Sequence, residues 1–249
     1  MSDALFDPAL LPLRRARAGR MGRQPFLYER AFDDIVERIL LTERRFESAL
    51  IFGHSEPDWS LRLRNAGVDC VQAMDVPSSQ PLPSLQDLCI SIGALDSAEP
   101  LPAILTALRF ALAPGALFIG AFAGGDSLPV LRSAMRAADE ADGSVSAHVH
   151  PRIAPSSFAT LLAEGGFVMP VVDVDRVRLR YASFDALIGD LRAMEATNRL
   201  SNRSRRPVLR RGLAAARAAF AALANEGRTA EMIEIIHFAA WTPTDGSEN

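Results

Sequence analysis

Long apolar runs are missing from this 249-residue chain. Those it has are too short and too often interrupted by charge to cross a bilayer. The first residues, Met1 to Pro12, carry Asp3 and Asp7 and no apolar segment behind a basic start, so no secretory leader is expected. Cysteine is scarce: Cys70 and Cys89 are the only two, each inside an apolar strand-like run, and both are read as small buried thiols. A large excess of one charge is missing as well. The formal net charge of −3 implies no general affinity for nucleic acid. His148 and His150 sit two apart, but no third ligand of the right kind lies near them in sequence, so no metal centre is expected. No internal repeat is visible. These absences point to a cytoplasmic protein without a membrane span.

What is present is an ordinary globular mixture, 49% hydrophobic and 23% charged, enough to bury a sizeable core. The chain is organised around Ser48–Asp58. An apolar run ends at Gly53, a polar turn follows, and a helix opens near Pro57 and Asp58. Strand, glycine turn, helix is how α/β proteins hold a nucleotide-like cofactor, at the carboxyl end of the first strand. Most glycines that make such a turn work are absent here.

Taken in order, residues 1–24 read as a basic N-terminal arm with Arg14, Arg15, Arg17, Arg20 and Arg23. An amphipathic helix is predicted over 25–46, with Ala31, Ile35 and Ile39 on its apolar face. Strands are predicted at Ala49–Phe52, Val68–Met74, Asp87–Ile92, Ala116–Phe122, Phe167–Tyr181 and Glu231–Trp241. Helices are predicted at Asp58–Ala66, Pro100–Ala113, 127–141, Ser156–Glu164, Phe184–Arg199 and Arg210–Asn225. Pro114-Gly115 stops one helix. Arg176, Arg178 and Arg180 alternate with Val177, Leu179 and Tyr181, the pattern of a half-exposed, antiparallel strand. The sum is a mostly parallel sheet with an antiparallel edge pair, in one α/β domain over 25–241 with a helical insertion at 184–225 and a flexible tail at 242–249.

This order of elements resembles the Rossmann-like fold of class I S-adenosylmethionine-dependent methyltransferases. More narrowly, the chain resembles the methyltransferase-like complex I assembly factors, whose mitochondrial member is an arginine hydroxylase, and their bacterial relatives. The segments that carry the resemblance are Ala123-Gly124-Gly125-Asp126-Ser127-Leu128 with Leu131-Arg132, Pro151-Arg152-Ile153-Ala154-Pro155, and Gly166-Phe167 through Asp173. Asp190–Met194 with Thr197-Asn198 and the ending Glu234–His237 to Pro243 complete it. The resemblance implies S-adenosylmethionine as cofactor and a protein substrate or assembly client as partner.

Three departures from the family pattern concern that cofactor. Ile51 stands where the loop carries an acid, and Pro57 where it carries a later glycine, which removes an N–H and stiffens the turn. The segment between the second and third predicted strands is too short for the expected helix and further strand. Ala94-Leu95-Asp96-Ser97 replaces an aromatic rim. The candidate cofactor residues are Gly53, His54 and Glu56 in the loop, Asp75 for the ribose, and Ile92. Asp87 and Asp96 are possible substitutes at strand ends, and Trp59 would fill the space a cofactor uses. Catalytic residues are not identifiable. Two readings stay open: a methyltransferase-like protein with a degenerate S-adenosylmethionine site that binds or assembles a protein client, and an active S-adenosylmethionine-dependent methyltransferase or hydroxylase with a divergent loop.

Overall fold

The computed structural model describes residues 4–22, 25–74 and 85–244. The chain divides into two compact units: one of residues 1–25, 126–152 and 176–234, the other of residues 26–125, 153–175 and 235–249.

The second unit holds most of the sheet. β1 (Phe46–Gly53) is buried over its last five residues, as a central strand must be. It pairs in parallel with β2 (Val68–Met74) on one side and β3 (Gln86–Ile92) on the other, with Gly53 opposite Ile92. β3 pairs in parallel with β4 (Leu112–Gly124). With β5 (Val168–Tyr181) and β6 (Thr229–Trp241), the mixed sheet runs β2-β1-β3-β4-β6-β5. Helices α2 (Phe26–Leu41), α3 (Trp59–Asn65), α4 (Leu101–Ala111) and α6 (Pro155–Glu164) belong to the same unit. α2 buries Ala31, Phe32, Ile35 and Ile39, a stripe at three- and four-residue spacing. The core is aromatic: Phe238 meets Phe118 and Phe158 edge-on with ring centroids 4.8 and 5.0 Å apart. Such pairs add about 1 kcal/mol each beyond their burial.

β2 and β3 flank β1, and only residues 75–85 join them. Among the described residues the sheet has six strands and β2 is one edge; the expected shortening after β2 falls on residues that lie mostly outside the described ones. That edge position corrects the expectation for Cys70: it is exposed, because β2 is covered along only part of its length, whereas Cys89 in central β3 is buried.

In the first unit, Leu10–Arg20 forms α1. Its arginines are tied to chain far away in sequence: Arg14 donates to the Asn198 carbonyl at 3.1 Å, Arg17 to Thr197 Oγ1 at 2.7 Å, and Arg15 to Glu195 at 3.2 Å. α5 is Pro129–Asp142, α7 is Phe184–Ala193 and α8 is Arg210–Ala221. α7 stops six residues short of the predicted Arg199, because the turn through Glu195 (φ +63°) carries Thr197 and Asn198 to the arginines of α1. The buried Glu231 carboxylate accepts the Val130 and Leu131 N–H groups at 3.2 and 2.7 Å, which satisfies open donors in the first turn of α5 and places negative charge at its positive end. Asp142 does the same for α8, accepting from the Leu209 and Gly212 N–H groups at 2.9 and 3.0 Å.

Candidate functional site

The loop predicted to hold a cofactor lies at the carboxyl end of β1, in the second unit. Gly53 turns there with φ +105°, a conformation that disfavours any side chain. A Cβ on Gly53 would come within 2.5 Å of the Ile92 carbonyl oxygen and 2.7 Å of Ala94 Cβ. The next N–H, of His54, donates to that same Ile92 oxygen at 2.8 Å. The ends of β1 and β3 are thus drawn tightly together by backbone contact.

His54 turns into the protein and is only 6% exposed. Its Nε2 lies 2.8 Å from Glu56 Oε1, and both groups are largely buried. Tyr28, from the first turn of α2, stacks on the imidazole with centroids 4.1 Å apart and 23° between planes. The Tyr28 ring also presses on the backbone at Gly93, where an added Cβ would meet Tyr28 Cε1 at 2.6 Å. Tyr28 therefore lies over the carboxyl ends of both β1 and β3.

Trp59 closes the other flank. It is fully buried, stacked face to face on Phe32 of α2 at 4.1 Å, and meets His54 edge-on at 5.6 Å. Its indole N–H donates to Glu29 at 3.0 Å, and Arg62 donates to the other oxygen of the same carboxylate at 3.1 Å. Arg62 also pairs with Asp33 and lies over the Phe32 ring. A hydrogen-bonded and ion-paired layer thus fixes α2 against α3.

Gly53, His54, Glu56 and Ile92 lie together at this end of the strands, Ile92 through its backbone oxygen. Asp75 lies outside the described residues. Asp96 falls in a short turn of helix, Leu95–Ser97, directly after β3. Asp87 is at the wrong end: its carboxylate accepts the Glu47 and Ser48 N–H groups at 2.8 and 2.9 Å, near the start of β1. Sequence reasoning missed Tyr28, Glu29 and Phe32. The one signal was Tyr28 and Phe32 four apart on the apolar side of an amphipathic helix.

No family model matches the chain. Among curated proteins, it is 30% identical over 220 residues to the mitochondrial arginine-hydroxylase NDUFAF5 of Danio rerio, covering 85% of this chain and 64% of that protein. It is 33% identical over 159 residues to malonyl-[acyl-carrier protein] O-methyltransferase of Xylella fastidiosa, covering 64% of this chain and 52% of the other. The chain thus spans less than two thirds of the length of these relatives. A candidate methyltransferase from Bacillus halodurans superposes with a TM-score of 0.54 at 12% identity, covering 84% of this chain and 99% of that one. The YcgJ protein of Bacillus subtilis gives 0.51 at 10% identity, covering 84% and 97%. At these identities the two structures speak for the fold alone. Together, sequence relatives and fold show that the chain belongs to the class I S-adenosylmethionine-dependent methyltransferase superfamily and is related there to the NDUFAF5-type proteins.

Proposed function

We propose that this chain is a methyltransferase-like protein with a degenerate S-adenosylmethionine site, which acts by binding a protein client in the cytoplasm, as an assembly-factor homologue of the respiratory complex I type. One observation carries the reading: Tyr28 occupies the space over the ends of β1 and β3, against both His54 and Gly93. A cofactor of this size needs a concave, largely pre-formed cleft with a close backbone approach. At Gly53 that approach is taken by the Ile92 oxygen and Ala94, and the imidazole beside it is covered by Tyr28 and Trp59. These contacts support a site that no longer fits the group. Ile51, Pro57 and the shortened connection after β2 support the same reading, since each removes something the cofactor would use.

The second reading is an active S-adenosylmethionine-dependent methyltransferase or hydroxylase with a divergent loop. It is favoured by the relatives, which are named for arginine hydroxylation and for methyl transfer. Calorimetric titration with S-adenosylhomocysteine separates the two. The degenerate site gives no saturable heat at millimolar ligand; saturable binding in the micromolar range supports the enzyme.

A further inference from the structure

β5 ends the sheet opposite β2, so among the described residues one of its sides has no neighbouring strand. The backbone N–H and C=O groups on that side are a template for another strand. The stretch Arg176–Tyr181 belongs to the first unit and alternates strictly. Arg176, Arg178 and Arg180 are exposed, Val177 and Leu179 are half-buried, and Tyr181 is buried. Side chains two apart on a strand share a face and stand about 7 Å apart. The three guanidiniums therefore form a row along the sheet edge, with a spacing set by the strand itself.

The row keeps donors to spare. Arg178, at its centre, has no ion pair or hydrogen bond among the described residues. Arg176 donates through Nε to Glu234 at 2.9 Å, and Arg180 through Nη2 to Glu226 at 3.1 Å, yet their side chains are still 68% and 47% exposed. A guanidinium has five N–H groups, so both can bond further. The first unit has 20 arginines against 12 aspartates and glutamates, a formal +8, and its field favours a negative partner. A second copy of this chain is disfavoured. Antiparallel self-pairing about Arg178 would set Arg178 against itself and Arg176 against Arg180, and pairing about Val177 would set Arg176 against Arg178. Like charges directly across a ladder repel. Single-stranded nucleic acid cannot continue a peptide ladder, and the one aromatic ring of the stretch, Tyr181, is buried and offers no stacking platform.

We propose that the edge of β5 at Arg176–Arg180 takes an extended acidic peptide as an added strand, with acidic side chains at alternate positions facing the three arginines. Ladder hydrogen bonds supply the attachment, and the arginines select sign and register. This site gives the protein client its chemistry and rests on the client-binding reading. It does not involve Gly53, so titration with cofactor and titration with peptide fail separately.

The test is fluorescence anisotropy of labelled peptides titrated with the full chain. A short peptide alternating valine and glutamate binds. Its block isomer, with the glutamates together, binds about fivefold more weakly or less, and the valine–lysine counterpart does not bind. Backbone N-methylation separates an added strand from diffuse attraction. Alternate N–H groups of a strand point to the same side, so methylating all valines or all glutamates removes the ladder bonds in one case and spares them in the other. One methylated peptide therefore binds at least about tenfold more weakly than the other. Arg178→Glu weakens the alternating peptide about tenfold or more, while Arg205→Glu, at another exposed arginine of the same unit, changes it less than about twofold. Absence of binding at about millimolar protein overturns the proposal. So do equal affinities of the block and alternating peptides, equal losses for the two methylated peptides, or a loss in Arg205→Glu as large as in Arg178→Glu.

Discussion

Replacing Gly53 by alanine tests the packing at the cofactor loop, and its cost has two separable parts. The first is backbone strain: an L-residue at φ +105° pays about 1–2 kcal/mol. The second is crowding: the new Cβ would sit 2.5 Å from the Ile92 oxygen and 2.7 Å from Ala94 Cβ, both held by paired strands or the turn directly after them. Overpacking of this kind costs about 1–3 kcal/mol. The total, about 2–5 kcal/mol, is a large fraction of the stability of an ordinary domain. Gly67 is the control. It too has positive φ, +91°, but its nearest neighbour is Arg45 Cγ at 3.9 Å, so Gly67→Ala carries the strain without the crowding. Trp59 and Trp241, the only tryptophans, both belong to the second unit, so urea unfolding followed by their fluorescence reads the unit that contains both glycines. The reasoning requires Gly53→Ala to lose about 1–3 kcal/mol more than Gly67→Ala. Equal losses would mean that the approach to Gly53 is open and that the close contact of β1 with the end of β3 is misjudged.

Asp142→Ala should cost about 1–2 kcal/mol, because it removes the acceptor for the Leu209 and Gly212 N–H groups at the start of α8; a chemical-denaturation difference near zero contradicts that role. His150 makes stability depend on pH. Its pKa is depressed from 6.5 to about 3, so protonation favours the unfolded chain, and its contribution is complete above about pH 6.5 and is lost as pH falls toward 3. The slope from this one site reaches about 1.4 kcal/mol per pH unit. His150→Gln should flatten the curve between pH 6.5 and 4, and an unchanged slope would refute the assignment. Trp59→Ala should lose about 3–5 kcal/mol in the same urea assay, since it empties a fully buried site between Phe32 and His54; a loss under about 1 kcal/mol would show that the stack is not tight.

Much of the architecture was legible in the sequence because its signals are local. The central parallel strands are continuous apolar runs, and the short span between Met74 and Gln86 is read by counting residues. The position of the loop at Gly53–Glu56 followed in the same way. What could not be read depends on partners distant in sequence. Arg14 and Arg17 look like solvated charge until the turn at Thr197 and Asn198 comes round to them. Cys70 lies in as apolar a run as Cys89, and only sheet order tells an edge strand from a central one. Tyr28 belongs to a helix whose periodicity shows which face is buried, but not that the face ends over Gly93 and His54. Tyr28 is a residue that no loop motif includes.

The most direct measurement is titration of the purified chain with S-adenosylmethionine, in the original protein and in Tyr28→Ala. A degenerate site predicts no saturable binding by the original chain at millimolar ligand. Micromolar binding by the original chain, lost on His54→Ala, would contradict the account and place a working cofactor site at Gly53.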